Sequence, residues 1–342
     1  MSPSSKIASL ATLLLACSSV DALSLKRTYA GSNFFDGFKF MADNDPTKGF
    51  VEYLPRNEAE LRGLVKAQGN QVRIQADSTT SYNLNDKGRA SIRLESFDTF
   101  DNGLLLADIA HMPGSACGIW PAFWTFNFDE NPYGEIDILE GAMFQDGNAV
   151  TLWTSEQCRF TNIGSKEERN NCNINADPPY VLPPAPNKGG RQFPKAKANK
   201  VDPLSSRGCG SMGPSNSYGT PFNNVGGGVY AMYLQDKRVR VWFFPSAQVP
   251  ADARSGSPNP EGWGAPISDF QTQHGGCDVA KTFHTQSIII NTDFCGSGVD
   301  QDWWDNNAEC VRVAPTCNEY VAKNPAAFTE AYWLINSIKL FQ

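Results

Sequence analysis

The stretch Gly134-Glu135-Ile136-Asp137-Ile138-Leu139-Glu140-Gly141 sets three carboxylates and three aliphatic side chains between two glycines. Side chains alternate faces along a β-strand, so Glu135 and Asp137 share one face while Ile136 and Ile138 point to the other. Strict alternation would turn Glu140 into the core, where an unpaired carboxylate is costly. A one-residue bulge around Ile138–Leu139 removes the conflict and aims Glu140 beside the other two acids. Such a row suits retaining glycoside hydrolysis, which uses two carboxyl groups roughly 5–5.5 Å apart, one as nucleophile and one as acid/base. A third carboxylate between them can share a proton and push the two pKa values apart. The bland alternatives are an acidic edge strand or a calcium site. Ile136 and Ile138 need a core behind them, which speaks against an edge.

About ten residues earlier runs Trp120-Pro121-Ala122-Phe123-Trp124-Thr125-Phe126. At period two Trp120, Trp124 and Phe126 share a face, with small Ala122 between the indoles. Flat aromatic faces stack on the apolar faces of sugar rings, and the gap at Ala122 suits an inserted ligand. Trp120 and Trp124 are therefore expected in a cleft, and Phe123 and Phe126 in the core.

Short alternating or aromatic-rich runs recur along the chain between Gly, Pro, Asn and Asp: residues 71–76, 90–95, 103–110, 118–128, 134–140, 228–234, 239–244 and 287–291. That spacing predicts an all-β sandwich of antiparallel sheets, with Gln235-Asp236-Lys237 as a hairpin turn. Helix is sparse; residues 57–67 and 325–332 are the candidates. Residues 173–224 are rich in Pro, Gly, Asn and Lys, and are expected to form a long loop excursion pinned by Cys172 and Cys209.

The chain has 342 residues, a formal net charge of −7 and a pI near 5.1. The acidic balance argues against nucleic acid, whose binding rests on Lys and Arg neutralising phosphates. Lys6, the apolar run from Ile7 to Cys17, and Val20-Asp21-Ala22 read as an export signal over residues 1–22. Residues 23–342 are then expected to form one catalytic domain. No later stretch reaches about 18 apolar residues, so no membrane span is expected. Beyond the signal remain Cys117, Cys158, Cys172, Cys209, Cys277, Cys295, Cys310 and Cys317, an even set that reads as four disulfides of a secreted protein. With only three histidines and no Cys-x-x-Cys pair, neither a metal centre nor a cofactor is expected.

The segment Glu135-Ile136-Asp137-Ile138-Leu139-Glu140 resembles the active-site signature of glycoside hydrolase family sixteen, in the bulged form of its laminarinase-type members. The resemblance covers nearly the whole chain beyond residue 22. It includes Phe34-Phe35-Asp36-Gly37-Phe38, Gly118-Ile119-Trp120-Pro121-Ala122-Phe123-Trp124, Gly226-Gly227-Gly228-Val229-Tyr230-Ala231, Asn291-Thr292-Asp293-Phe294-Cys295-Gly296 and Ala331-Tyr332-Trp333-Leu334-Ile335-Asn336-Ser337. It implies a β-jelly-roll with a substrate cleft across one sheet. It also implies Glu135 as nucleophile, Glu140 as acid/base and Asp137 as proton helper, in a secreted, monomeric, endo-acting enzyme of fungal type.

Three positions depart from glucan-cutting relatives of that family. Tyr133 stands near a usual Trp, Trp153 replaces a His, and Gly296-Ser297-Gly298 replaces a Gly-Asp-Trp. A polar site built for one hydroxyl pattern rejects another, because buried partners are left unpaired. The expectation drawn from these changes is a β-1,3-galactan substrate contacted by Trp120, Trp124, Tyr133 and Trp153. An endo-1,3(4)-β-glucanase is the alternative. A wall-remodelling transglycosylase and an inactive sugar-binding protein are the remaining readings.

Overall fold

The structure is a computed structural model and describes residues 23–127, 132–145, 147–154, 158–162, 172–173, 207–272 and 276–342. Two large antiparallel sheets face each other, as the alternating runs predict. The smaller has seven strands in the order Arg207–Met212, Ala149–Thr154, Gly134–Glu140, Ile119–Phe126, Gln286–Phe294, Arg93–Phe100 and Phe38–Met41. The larger has ten, and the last strand of the chain, Tyr332–Phe341, lies inside it between Gly103–His111 and Gln71–Gln75. This is the expected jelly-roll sandwich.

Alternation decides what fills the space between the sheets. Ile136, Ile138, Phe123, Ile288, Ile290 and Leu152 are all buried in the main core, along with Leu105 and Ile109 from the opposing sheet. The acidic strand therefore has an apolar back, and its carboxylates lie on the face turned away from the core.

Disulfides join Cys117 to Cys310, Cys158 to Cys277 and Cys295 to Cys317. Cys209 is also disulfide-bonded. Of the loop excursion expected over residues 173–224, residues 174–206 lie outside the described residues, as does the export signal; the remainder is more regular than expected, with a strand at Arg207–Met212 and a short helix at Gly219–Asn224.

Two helix expectations need correction. The first helix spans only Arg56–Leu61 and gives way to a strand at Val65–Gln68. The second is a single 3-10 turn, Pro325–Phe328. Between Gly296 and Lys323 the chain instead makes several short helical turns. Asp300, Asn307 and Thr316 cap three of them by accepting from backbone N–H groups ahead.

Candidate active site

The bulge lies where the alternation conflict demanded it. On the aromatic strand Ile119–Phe126, Trp124 pairs with Asp137 and the next residue, Phe123, pairs with Leu139, so Ile138 is the extra residue. Glu140 thereby returns to the outer face, opposite Ala122. Glu135, Asp137 and Glu140 share that face, with Ile136 and Ile138 behind them at 0% and 1% exposure.

Indole donors meet two of the acids. Trp120 Nε1 donates to Glu140 Oε1 at 2.8 Å, and Trp153 Nε1 donates to Asp137 Oδ2 at 2.9 Å. Burial raises all three carboxyl groups above their usual range, and neighbouring carboxylates add to it at Glu135 and Asp137. Glu135 is pushed up to about 8 by burial and by Glu140, against a downward pull from Arg93. Burial raises Asp137 well above its ordinary value, and the charges of Glu140 and Glu135 raise it further. Burial takes Glu140 to about 7, while hydrogen bonds from Trp120 and Asp137 work to lower it. A row of this kind keeps protons at neutral pH and titrates as a unit. One carboxylate can then attack while another still holds a proton.

Trp124 Nε1 donates to Asn291 Oδ1 at 2.8 Å, and Asn291 Nδ2 donates to the Tyr53 hydroxyl at 3.1 Å. The Arg93 guanidinium lies 5.1 Å from the Trp124 ring centre. Tyr133 packs on Phe126 with ring centres 5.5 Å apart, and burial together with the Glu135 charge pushes its hydroxyl up to about 12. All four expected contact residues thus stand around the acids. Phe126 does not belong to the core as expected. It is half-buried on the outer face, opposite Glu135 and tilted against Trp124.

Gly298, which stands where relatives of the resembled family carry a Trp, is covered by the Trp120 ring: a β-carbon at residue 298 would come within 2.2–2.5 Å of that ring's atoms. The missing side chain is what lets Trp120 lie down and reach Glu140.

Beside Trp120, sequence reasoning missed a second acidic cluster. Asp293 pairs with Trp120 across the strands and is 2% exposed. Thr47 Oγ1 lies 2.5 Å from Asp45 Oδ2 and 3.0 Å from Asp293 Oδ2. A hydroxyl has one proton, so serving both carboxyls requires a proton on one of them. Burial and the Asp45 charge push Asp293 up to about 8, which supplies it.

The family model described as an XgeA-like, catalytic GH16 domain matches residues 38–341. A "probable glycosidase" of Schizosaccharomyces pombe is 38% identical over 325 residues, which is 93% of this chain and 69% of the relative. A "probable endo-1,3(4)-beta-glucanase" of Neosartorya fischeri is 37% identical over 361 residues, covering all of this chain and 50% of the relative. This chain therefore spans about half the length of that glucanase. Among solved structures, an elongating GH family 16 beta-1,3-glucosyltransferase superposes with a TM-score of 0.76 at 36% identity, covering 94% of this chain and 100% of the other. Laminarinase 16A from Phanerochaete chrysosporium, solved with 6-O-glucosyl-laminaritriose in its donor and acceptor sites, gives 0.74 at 32% identity with the same coverage.

Proposed function

The chain belongs to glycoside hydrolase family 16, and from that premise we propose that it is a secreted, retaining endo-hydrolase of β-1,3-linked glucan. The observation that carries the reading is the bulge, which places Glu135, Asp137 and Glu140 on one face with indole N–H groups on two of them. The Glu135 carboxylate attacks the anomeric carbon while Glu140 protonates the departing glycosidic oxygen. A glycosyl ester on Glu135 results, and Glu140 then takes the proton from an attacking water. Asp137 shares a proton with Glu140 as its charge changes. Residues 1–22 serve as the export signal and residues 23–342 as the catalytic domain.

The galactan expectation rested on the departures at Tyr133, Trp153 and Gly296-Ser297-Gly298. Two of them read differently in three dimensions. Residue 298 is covered by Trp120, and the single N–H of Trp153 is engaged with Asp137. The relatives' names and the laminarinase's bound sugars support β-glucan instead. Likeness to an elongating glucosyltransferase favours one second reading, in which a sugar hydroxyl replaces water in the second step. Incubation with laminarin, mixed-linkage β-glucan and de-arabinosylated β-1,3-galactan, with NMR of the first-formed anomer, tests both readings. β-Anomeric oligosaccharides from laminarin support hydrolysis, and products longer than the substrate support transfer. An α-anomer, or cleavage of galactan alone, overturns the proposal.

A further inference from the structure

A bulge leaves backbone groups without ladder partners, and here one side chain takes two of them. From Asp137 to Glu140 the acidic strand advances three residues, while the paired strand moves only from Thr151 to Ala149. The Glu140 N–H donates to Asn148 Oδ1 at 2.7 Å, and Asn148 Nδ2 donates to the Ile138 carbonyl at 2.7 Å. A primary amide carries an acceptor and a donor side by side, as a peptide unit does. The Asn148 side chain therefore completes the ladder in place of the residue that the shorter strand lacks.

That side chain is itself tightly placed. Asn148 and Ser217 are both 0% exposed. The Asn148 N–H donates to Ser217 Oγ at 2.8 Å, its carbonyl accepts from the Gly213 N–H at 2.7 Å, and Ser217 Oγ donates to the Pro214 carbonyl at 2.5 Å. The loop after Met212 thus fixes Asn148, and Asn148 fixes the backbone on either side of Leu139.

We propose that Asn148 is the positioning residue of Glu140: its amide locks the bulge in the one geometry that presents the carboxyl to the Trp120 indole and to the leaving oxygen. It touches neither substrate nor reacting atoms, and the inference rests on the reading of Glu140 as acid/base. Without the clamp, Glu140 can turn toward the core, as strict alternation would have it.

The test compares Asn148→Ala, Glu140→Ala and the double variant on laminarin and on an activated dinitrophenyl β-laminaribioside, whose leaving group needs no proton. Misplacing a catalytic group by about 1 Å can cost on the order of 100-fold. Asn148→Ala should lower kcat on laminarin by roughly 10- to 100-fold with little change in KM. Its initial burst on the activated glycoside should survive, and azide should partly rescue turnover, giving the β-glycosyl azide. In the Glu140→Ala background, Asn148→Ala should add no further loss, since residues acting through one group are non-additive. Equal losses on both substrates without azide rescue, or additive losses in the double variant, would overturn the inference. Should Asn148→Ala not fold, Asn148→Leu carries the same test with the same outcomes, because it fills a similar space but neither accepts from Glu140 nor donates to Ile138. Absence of β-glycosyl azide from Glu140→Ala itself would instead indict the acid/base assignment.

Discussion

Trp153 pairs in register with Glu135, yet its indole N–H reaches Asp137 Oδ2 at 2.9 Å. The bond favours the charged form of Asp137 and works against the burial that raises it. Trp153→Phe keeps a ring and removes the donor. A hydrogen bond to a charged group is worth ~1.5–3 kcal/mol, so kcat on laminarin should fall about 10- to 100-fold with KM nearly unchanged. Steady-state kinetics check this. A rise in KM alone would make Trp153 a sugar platform, as the sequence suggested.

Trp120 holds Glu140 in the same way, and the sign of its effect on pH dependence follows. Its N–H lowers the Glu140 pKa, which burial holds up at about 7. Glu135, Asp137 and Glu140 titrate as one row, so on the proposed mechanism the alkaline limb of the rate profile marks loss of the row's shared proton, which Glu140 must hold to act as the acid. Trp120→Phe should shift that limb to higher pH by about 0.5–1 unit while lowering kcat. A pH–rate series on laminarin reads the shift, and an unmoved limb would leave Trp120 as cleft wall only.

Gly298→Ala should behave like a mutation of Trp120. The added methyl would meet the ring at 2.2–2.5 Å and must push it off Glu140. Activity should fall at least about 10-fold, the size expected for losing one charge-assisted bond, while the melting temperature changes by only a few degrees. Retained activity would mean that Trp120 can reach Glu140 by another route.

Asp293 gives a stability prediction. Its folded pKa of about 8 lies above its ordinary value of 3.8, so the folded state binds the extra proton between those values. Stability from this group is fully present at low pH and is lost as pH rises toward 8. Asp293→Asn keeps the acceptor for the Phe294 N–H and can donate to Thr47 at every pH. The variant should gain about 1–3 kcal/mol on the parent between pH 5 and pH 8, measured by denaturant unfolding. A difference that stays constant with pH would place the proton elsewhere.

The acidic row was legible because the sequence contains a contradiction. Three acids and two isoleucines cannot all be placed on an uninterrupted strand, and a bulge is the local way out. The sandwich was legible from period-two runs, several of which match strands to within a residue or two. Partners brought in from far along the chain were not legible. Nothing near Gly298 says that Trp120 covers it. Phe126 carries the period of the outer face but the chemistry of a core residue, and periodicity proved the better guide. The capped turns between Asp300 and Lys323 were too short for a helical period to show, although Asp300, Asn307 and Thr316 were there to mark them.

The position of the last strand bears on how the molecule is made. Tyr332–Phe341 is an interior strand of the larger sheet, flanked by residues 103–111 and 71–75. In the smaller sheet, Gln286–Phe294 separates the aromatic strand from Arg93–Phe100. The smaller sheet cannot close before residues 286–294 are made, nor the larger before residues 332–341, and loop-closure entropy makes such distant pairings slow. Removing the final ten residues would split the larger sheet through its middle instead of trimming an edge.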